Sequence, residues 1–452
     1  MAKLKTRYVC QNCGVESSKW IGRCPSCNEW NTYVEEIVER TKQGIKPLST
    51  GEINKPAALD EIEGDKISRI DSKNNEMNRL LGGGMVPGSV ILLGGEPGIG
   101  KSTLALQLSL NIKCNVLYIS GEESLQQLKL RAERINTENK QLKLFNENSL
   151  EIILNVLSEE KPDLVVVDSI QTLTSSDIES SQGSISQVRE CAWQLTRFAK
   201  ANKIPVIIIG HINKEGNLAG PKVLEHIVDV VLNFEGDSDY QYRIIRALKN
   251  RFGSVDELGI FEMTSQGLIE VPNPSEILTS AGENNLSGIA IAAAINGNRS
   301  FLIEIQSLVS SAVYNTPQRS TTGFDYRRLN MLLAVLENRA NFKLATKDVF
   351  LNIAGGIKIK ETGIDLAIVC AIMSSALKLY IPKSYCFAAE VGLTGEIRAV
   401  TRIEQRIAEA RRLGYSHLFL SAFHKSKIKP SDGIKLVFAS TVEEVFHKLF
   451  KS

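Results

Sequence analysis

The 452-residue sequence predicts an α/β protein in three parts: a small cysteine-paired N-terminal module, a core built on a mostly parallel sheet, and a second α/β domain toward the C-terminus. Three observations predict it. Four cysteines form two close pairs within the first 27 residues. Four continuous apolar runs, separated by segments long enough for helices, surround a glycine-rich loop ending in Lys101-Ser102. Two prolines in Val271-Pro272-Asn273-Pro274-Ser275 then oppose both a helix and a central strand.

Residues 1–34 read as a C4 module. Cys10-x-x-Cys13 and Cys24-x-x-Cys27 each offer two thiolates from one tight knuckle, the tetrahedral sulfur set that Zn²⁺ prefers, and Gly14 and Gly22 suit the adjoining turns. A redox pair or free thiols are the weaker readings. The metal could also merely staple a fragment too small to fold alone. The other cysteines (Cys114, Cys191, Cys370, Cys386) are scattered, unlike a secreted disulfide framework. Residues 35–65 are polar and lack an apolar period, as expected of a linker.

Residues 66–271 alternate buried strands with helices. Val90–Leu93, Val116–Ile119, Leu164–Val167 and Val206–Ile209 are apolar at every position, which marks strands covered on both faces. After the first comes Gly95-Glu96-Pro97-Gly98-Ile99-Gly100-Lys101-Ser102, followed by a helix from about Thr103. Its glycines let backbone N–H groups wrap phosphates at a helix N-terminus. Lys101 is expected to reach the β- and γ-phosphates of ATP, and Ser102 to ligate Mg²⁺. Gly82-Gly83-Gly84 lacks the following Lys-Ser and reads as a turn.

A carboxylate at the end of a neighbouring strand should complete the Mg²⁺ site, and Asp168 stands there. Glu122, more than Glu123, is the candidate to orient the attacking water, although either could instead favour the start of a helix. His211 directly follows a core strand and is a candidate γ-phosphate sensor; a structural histidine is the alternative. Lys249 and Arg251, one residue apart, could clamp a phosphate in cis or in trans.

The charge balance constrains partners less than the motifs do. Charged residues make up 23% of the chain at a net charge of +2, so nucleic acid would have to be held by local patches. No apolar run approaches the roughly 20 residues needed to cross a bilayer, and no apolar signal core follows Met1-Ala2-Lys3-Leu4-Lys5. A cytoplasmic protein without membrane contact is expected.

Together these residues resemble the RadA (Sms) family of bacterial DNA-repair proteins over essentially the whole chain. The carriers are the paired CxxC knuckles, residues 94–103, Ser120-Gly121-Glu122-Glu123-Ser124 and, above all, Lys249-Asn250-Arg251-Phe252-Gly253. The resemblance implies a RecA-like ATPase forming a hexameric ring on single-stranded DNA and driving branch migration. It implies ATP, Mg²⁺ and Zn²⁺ as cofactors, and single-stranded and branched DNA, a RecA-type recombinase and further copies of the chain as partners. Carried over, Lys101, Ser102 and Asp168 bind Mg-nucleotide, while Lys249 and Arg251 reach the neighbouring subunit's site. Residues 174–184 and 214–222 stand where this fold places DNA-binding loops, with Lys214 and Lys222 as phosphate contacts; a solvated surface loop is the alternative. The rival reading is an ATP switch that sets affinity for DNA or a recombinase without processive movement.

Residues 277–452 resemble the proteolytic domain of Lon, carried by Gly392-Leu393-Thr394-Gly395-Glu396-Ile397 and the helix after Thr362-Gly363. That raises an ATP-dependent protease as a third reading. The places of Lon's Ser-Lys dyad hold Asp365 and Glu404, and two carboxylates cannot perform that acyl transfer. Thr401-Arg402-Ile403-Glu404 fits a capping box, with Ile403, Ile407, Ala410 and Leu413 at core spacing behind it. Arg402 and Arg406 are expected on a solvated helix face, with DNA tracking as the alternative.

Overall fold

The computed structural model describes residues 5–10, 14–26, 28–38, 68–135, 139–211, 222–235, 242–255, 257–279, 286–297, 299–312, 316–428 and 433–450. At the N-terminal end β1 (Lys5–Cys10) pairs antiparallel with β2 (Glu16–Ser17) and β3 (Tyr33–Val38). The small core beneath them is Cys10, Cys24 and Tyr33, with Tyr8 and Val15 against it. Strand β3 crosses the edge expected at residue 34 and takes in the first residues of the expected linker. The rest of that linker, 39–65, lies outside the described residues, as do residues 66 and 67 of the expected core.

The next part runs α1 (Asn75–Leu80), β4 (Val90–Gly95), α2 (Lys101–Asn111), β5 (Val116–Ser120), α3 (Leu125–Ile135), β6 (Leu142–Asn146), α4 (Leu150–Glu160), β7 (Leu164–Asp168) and α5 (Ile185–Asn202). It continues through β8 (Val206–His211), α6 (Lys222–Ile227), β9 (Val230–Glu235), β10 (Tyr242–Asn250), β11 (Leu258–Thr264) and β12 (Gly267–Glu270). The strands form one sheet in the order β12-β11-β10-β9-β4-β8-β7-β5-β6. Strands β9, β4, β8, β7, β5 and β6 are parallel; β10 to β12 add an antiparallel meander.

The apolar runs are continuous because alternate residues feed two different cores. Ile91, Leu93, Val116, Tyr118, Val166 and Ile207 pack under α2 and α3. Val90, Leu92, Leu117, Val165, Val167 and Ile208 pack against α4 and α5. One detail differs from expectation. Strand β8 lies between β4 and β7, so Asp168 stands two strands from the phosphate-binding loop, and His211 stands beside it.

Residues 271–452 form a separate unit. Its elements are α7 (Pro274–Leu278), β13 (Ile289–Asn296), β14 (Arg299–Ser311), β15 (Arg319–Thr322), α8 (Tyr326–Arg339), β16 (Lys347–Ile353), α9 (Asp365–Leu377), β17 (Tyr385–Ala388), β18 (Glu390–Val391), β19 (Ile397–Arg398), α10 (Ile403–Arg412), β20 (His417–Ser421), β21 (Lys435–Ala439) and α11 (Val442–Phe450). Seven strands make a mixed sheet, β15-β16-β14-β13-β17-β20-β21. Helix α9 is buried from Asp365 through Ser375, so its apolar residues run all around it. Among the described residues no helix is long and apolar enough to cross a membrane.

Two expectations for α10 are overturned. Its N-cap is Arg402 at φ +52° with no side-chain cap bond, so Thr401 and Glu404 do not form a capping box. Arg406 is fully buried, donating to the Thr401 carbonyl at 3.1 Å and the Ala293 carbonyl at 2.5 Å and pairing with Glu361. It is neither on a solvated face nor free to track DNA, whereas Arg402 stays exposed. The long stem carries the guanidinium inward to polar partners, which a face count by residue type does not register.

Candidate functional site

The phosphate-binding loop leaves the centre of the sheet, where Gly95 is in register with His211 of β8. Gly100 caps α2 at φ +116°, a backbone conformation that favours glycine, with the flexible end of Met263 packed against it. Ile99 is buried, while Glu96, Pro97 and Gly98 form an exposed rim; Ser102 and Thr103 are half-buried. Lys101, only 3% exposed, donates to the Gly95 and Glu96 carbonyls at 2.8 Å each. Burial brings its ammonium down to about 8 against the opposing pull of Asp168, Glu122 and Glu96, so it remains charged at neutral pH.

The carboxylates converge on this lysine. Burial pushes Asp168 above the usual range, although the hydroxyls of Tyr118 and Ser102 both bond it and resist the shift. The Tyr118 contact is 2.6 Å to Oδ2. Glu122 accepts from the Ser169 hydroxyl at 2.5 Å and meets His211 Nε2 at 3.2 Å. Burial alone would raise Glu122, but Ser169, His211 and Lys101 outweigh it and hold the carboxyl below its ordinary value. Glu123 is instead paired with Arg131 of α3, which takes it out of competition.

The structure thus brings Lys101, Ser102, Glu122, Asp168 and His211 together at the carboxyl ends of β4, β5, β7 and β8. The hydroxyl and carboxylate of Ser102 and Asp168 are a hard-oxygen donor pair of the kind Mg²⁺ takes. Sequence reasoning missed three supports. Tyr118 and Ser169 look like an apolar strand residue and a loop serine in one dimension. Arg243 reaches from β10 to donate to the Ile99 carbonyl at 3.1 Å, and nothing local in the sequence marks it.

Lys249 and Arg251 are elsewhere. Strand β10 is antiparallel to β9, so its end pairs with the beginning of β9: Lys249 lies opposite Val231 and Asn250 opposite Val230. Both cations therefore sit at the amino ends of the parallel strands, away from the phosphate-binding loop of the same chain. Lys249 Nζ donates to the carbonyls of Glu225 at 2.5 Å and Val228 at 2.7 Å. Arg251 Nη1 pairs with Asp229 Oδ1 at 3.0 Å. A clamp in cis is thereby overturned.

Residues 174–184 are tied down by bonds from Ser175 and Ser176 to Glu151, and they carry Asp177 and Glu179 but no cation. Residues 214–221, including Lys214, lie outside the described residues, and Lys222 opens α6.

In the N-terminal module Cys10 and Cys24 are fully buried and begin two matching knuckles. Gly14 N–H returns to the Cys10 carbonyl at 2.8 Å and Asn28 N–H to the Cys24 carbonyl at 2.9 Å, with positive φ at both Gly14 and Asn28. This paired turn fits a shared metal. Cys13 and Cys27 lie outside the described residues. In the last unit Asp365 is fully buried against Arg328, and Glu404 is exposed on α10.

Family models match three stretches: a rubredoxin metal binding domain over residues 8–35, an AAA domain over 56–217 and subunit ChlI of Mg-chelatase over 325–423. Curated relatives align along nearly the whole chain. DNA repair protein RadA of Bacillus subtilis (strain 168) is 46% identical over 450 residues, covering 98% of each chain. Its counterpart in Listeria monocytogenes is also 46% identical, over 99% of this chain and 98% of its own. That of Streptococcus pyogenes serotype M1 is 45% identical over the full length of both. A solved KaiC-like protein from Pyrococcus horikoshii OT3 aligns with 46% of this chain and all of its own, at 18% identity and a TM-score of 0.38.

Proposed function

Because the chain belongs to the RadA family of DNA repair proteins, we propose that it is a DNA-dependent ATPase working as a ring-shaped single-stranded DNA translocase and branch-migration helicase in recombinational repair. The observation that carries this reading is the split site. Lys101, Ser102, Glu122, Asp168 and His211 gather at the carboxyl ends of the parallel strands, while Lys249 and Arg251 stand at the amino ends. The full set comes together only if a second copy presents the amino ends of its strands to the loop, and a closed ring of copies, six in our reading, does this at every interface.

When bound, MgATP supplies the phosphoanhydride whose cleavage drives motion. Lys101 would exchange its two carbonyl partners for phosphate oxygens, and Ser102 and Asp168 would hold the Mg²⁺. Glu122 orients the attacking water, with its carboxyl kept ionised by Ser169 and His211; His211, beside the loop and touching Glu122, reports the state of the γ-phosphate. Arg251, with its side chain half exposed, is the better placed of the two trans cations, since Lys249 is held by two carbonyls. Single-stranded and branched DNA are the proposed substrates and a RecA-type recombinase the proposed protein partner.

Glu122→Gln is expected to bind ATP normally but to hydrolyse it about 100-fold more slowly and to leave forked DNA duplexed. Hydrolysis within about threefold of the parent would move the water-orienting role off Glu122. Wild-type protein that hydrolyses ATP on DNA yet neither unwinds a fork nor moves a branch point would favour the switch reading.

For the cysteine module, we expect stoichiometric zinc by elemental analysis. Removing it with a chelator should unfold residues 5–38 and change the fluorescence of the exposed Trp20 and Trp30. Retention of that signal after complete zinc loss would make the metal dispensable to the module.

A further inference from the structure

We infer that Asp229 is the positioning residue that aligns Arg251 for the neighbouring subunit and ties it to the phosphate-binding strand of its own. The inference rests on the trans reading of Arg251 above. Asp229 lies between α6 and β9 and is 3% exposed. Its two carboxylate oxygens have different partners. Oδ2 accepts from the N–H of Val90, the first residue of β4, at 3.1 Å. Oδ1 accepts from Arg251 Nη1 at 3.0 Å, with Lys200 Nζ at 3.8 Å. The backbone repeats both links: Asp229 N–H donates to the Val90 carbonyl at 3.0 Å, and Arg251 N–H donates to the Asp229 carbonyl at 3.2 Å.

The loop bearing Arg251 is fixed from behind. Asn250 Nδ2 donates to the Leu80 carbonyl at 3.0 Å, and Arg69 Nη2 to the Phe252 carbonyl at 3.0 Å. A Cβ on Gly253 would stand 2.9 Å from Gly82 Cα, so the loop is pressed onto the glycine turn that precedes β4. With the backbone held, the direction of the half-exposed guanidinium is set chiefly by Asp229. Strand β4 is buried along its whole length between β8 and β9 and ends in the phosphate-binding loop. Arg251 and the chain's own nucleotide site are therefore joined by one six-residue strand with Asp229 at its amino end.

An asparagine keeps an acceptor for Val90 but removes the negative charge that holds Arg251. Full-length Asp229→Asn is expected to bind a fluorescent ATP analogue with an affinity within about twofold of the parent and to keep its KM, while its DNA-stimulated kcat falls about tenfold, as misaiming a catalytic cation predicts. Mixing supplies a readout that mere structural damage would not move. Lys101→Ala subunits cannot hydrolyse ATP but carry an intact Asp229–Arg251 pair, so equal mixtures with Asp229→Asn should turn over faster than the sum of the two alone.

Arg251→Ala mixed with Lys101→Ala is the companion arm. No recovery there would overturn the trans reading itself. Recovery there, with Asp229→Asn indistinguishable from the parent, would overturn the role of Asp229 alone. An Asp229→Asn loss that Lys101→Ala does not repair would do the same, since it would mark damage confined to the mutant's own fold.

Discussion

Lys101→Ala is expected to abolish ATP hydrolysis, by about 10³-fold, while leaving the fold intact. The size of the effect follows from what surrounds this ammonium. Asp168 and Glu122 both face it, and a triphosphate brings further negative charge to the same place. Removing the one buried cation of the loop leaves that charge without its nearest counterion, a loss that commonly amounts to several kcal/mol. The Gly95 and Glu96 carbonyls also lose a shared donor, but the half-open loop lets water replace it, so stability should change little. Phosphate release and thermal unfolding measured on one preparation decide the matter. Turnover within about tenfold of the parent would show that Lys101 is not the group that stabilises the transferring phosphoryl.

The core of this result was legible in one dimension because it depends on local signals. A strand, a glycine loop and a Lys-Ser pair occupy consecutive residues, and the four apolar runs became β4, β5, β7 and β8 because burial on both faces leaves no polar positions. What was not legible depends on order in space. Nothing in the sequence says that β8 enters between β4 and β7, and that insertion is what places His211 beside Gly95 and leaves Asp168 one strand further out. Tyr118 read as one more core aromatic until β7 brought Asp168 to its hydroxyl. Arg406 read as surface because arginines usually are, and only the meeting of α10 with β13 and Glu361 reveals its partners across the fold. Lys249 and Arg251 were recognisable as a motif, but their distance from the phosphate-binding loop follows from the antiparallel turn into β10.

The largest stability effect is expected from Arg328→Ala in the last unit. Asp365 stands in the first turn of α9 with no exposed surface and two kinds of partner: the Arg328 guanidinium and the Val391 N–H at 3.3 Å. Burial pushes its carboxyl up to about 6 even though Arg328 and Val391 both oppose the shift. A folded value above the unfolded 3.8 means that Asp365 favours the fold at low pH and that this contribution is lost as pH rises through about 6. At neutral pH desolvation therefore outweighs the pairing at Asp365, whereas the hydrogen bond to Asp365 holds Arg328 above its ordinary value; the half-exposed arginine gains from a contact that the buried carboxylate does not, and the pair as a whole contributes little net stability. Deleting only the arginine is a different matter, because it leaves a carboxylate buried with one N–H for company. The expected loss is about 3–5 kcal/mol near neutral pH, whereas the paired replacement Arg328→Met with Asp365→Leu should be close to neutral. Calorimetric scans of the full chain at about pH 7.5 and about pH 5 separate the causes: protonation of Asp365 should return part of the single mutant's loss at the lower pH. A deficit that does not shrink on acidification would assign the damage to lost packing of the arginine stem instead of to the stranded charge.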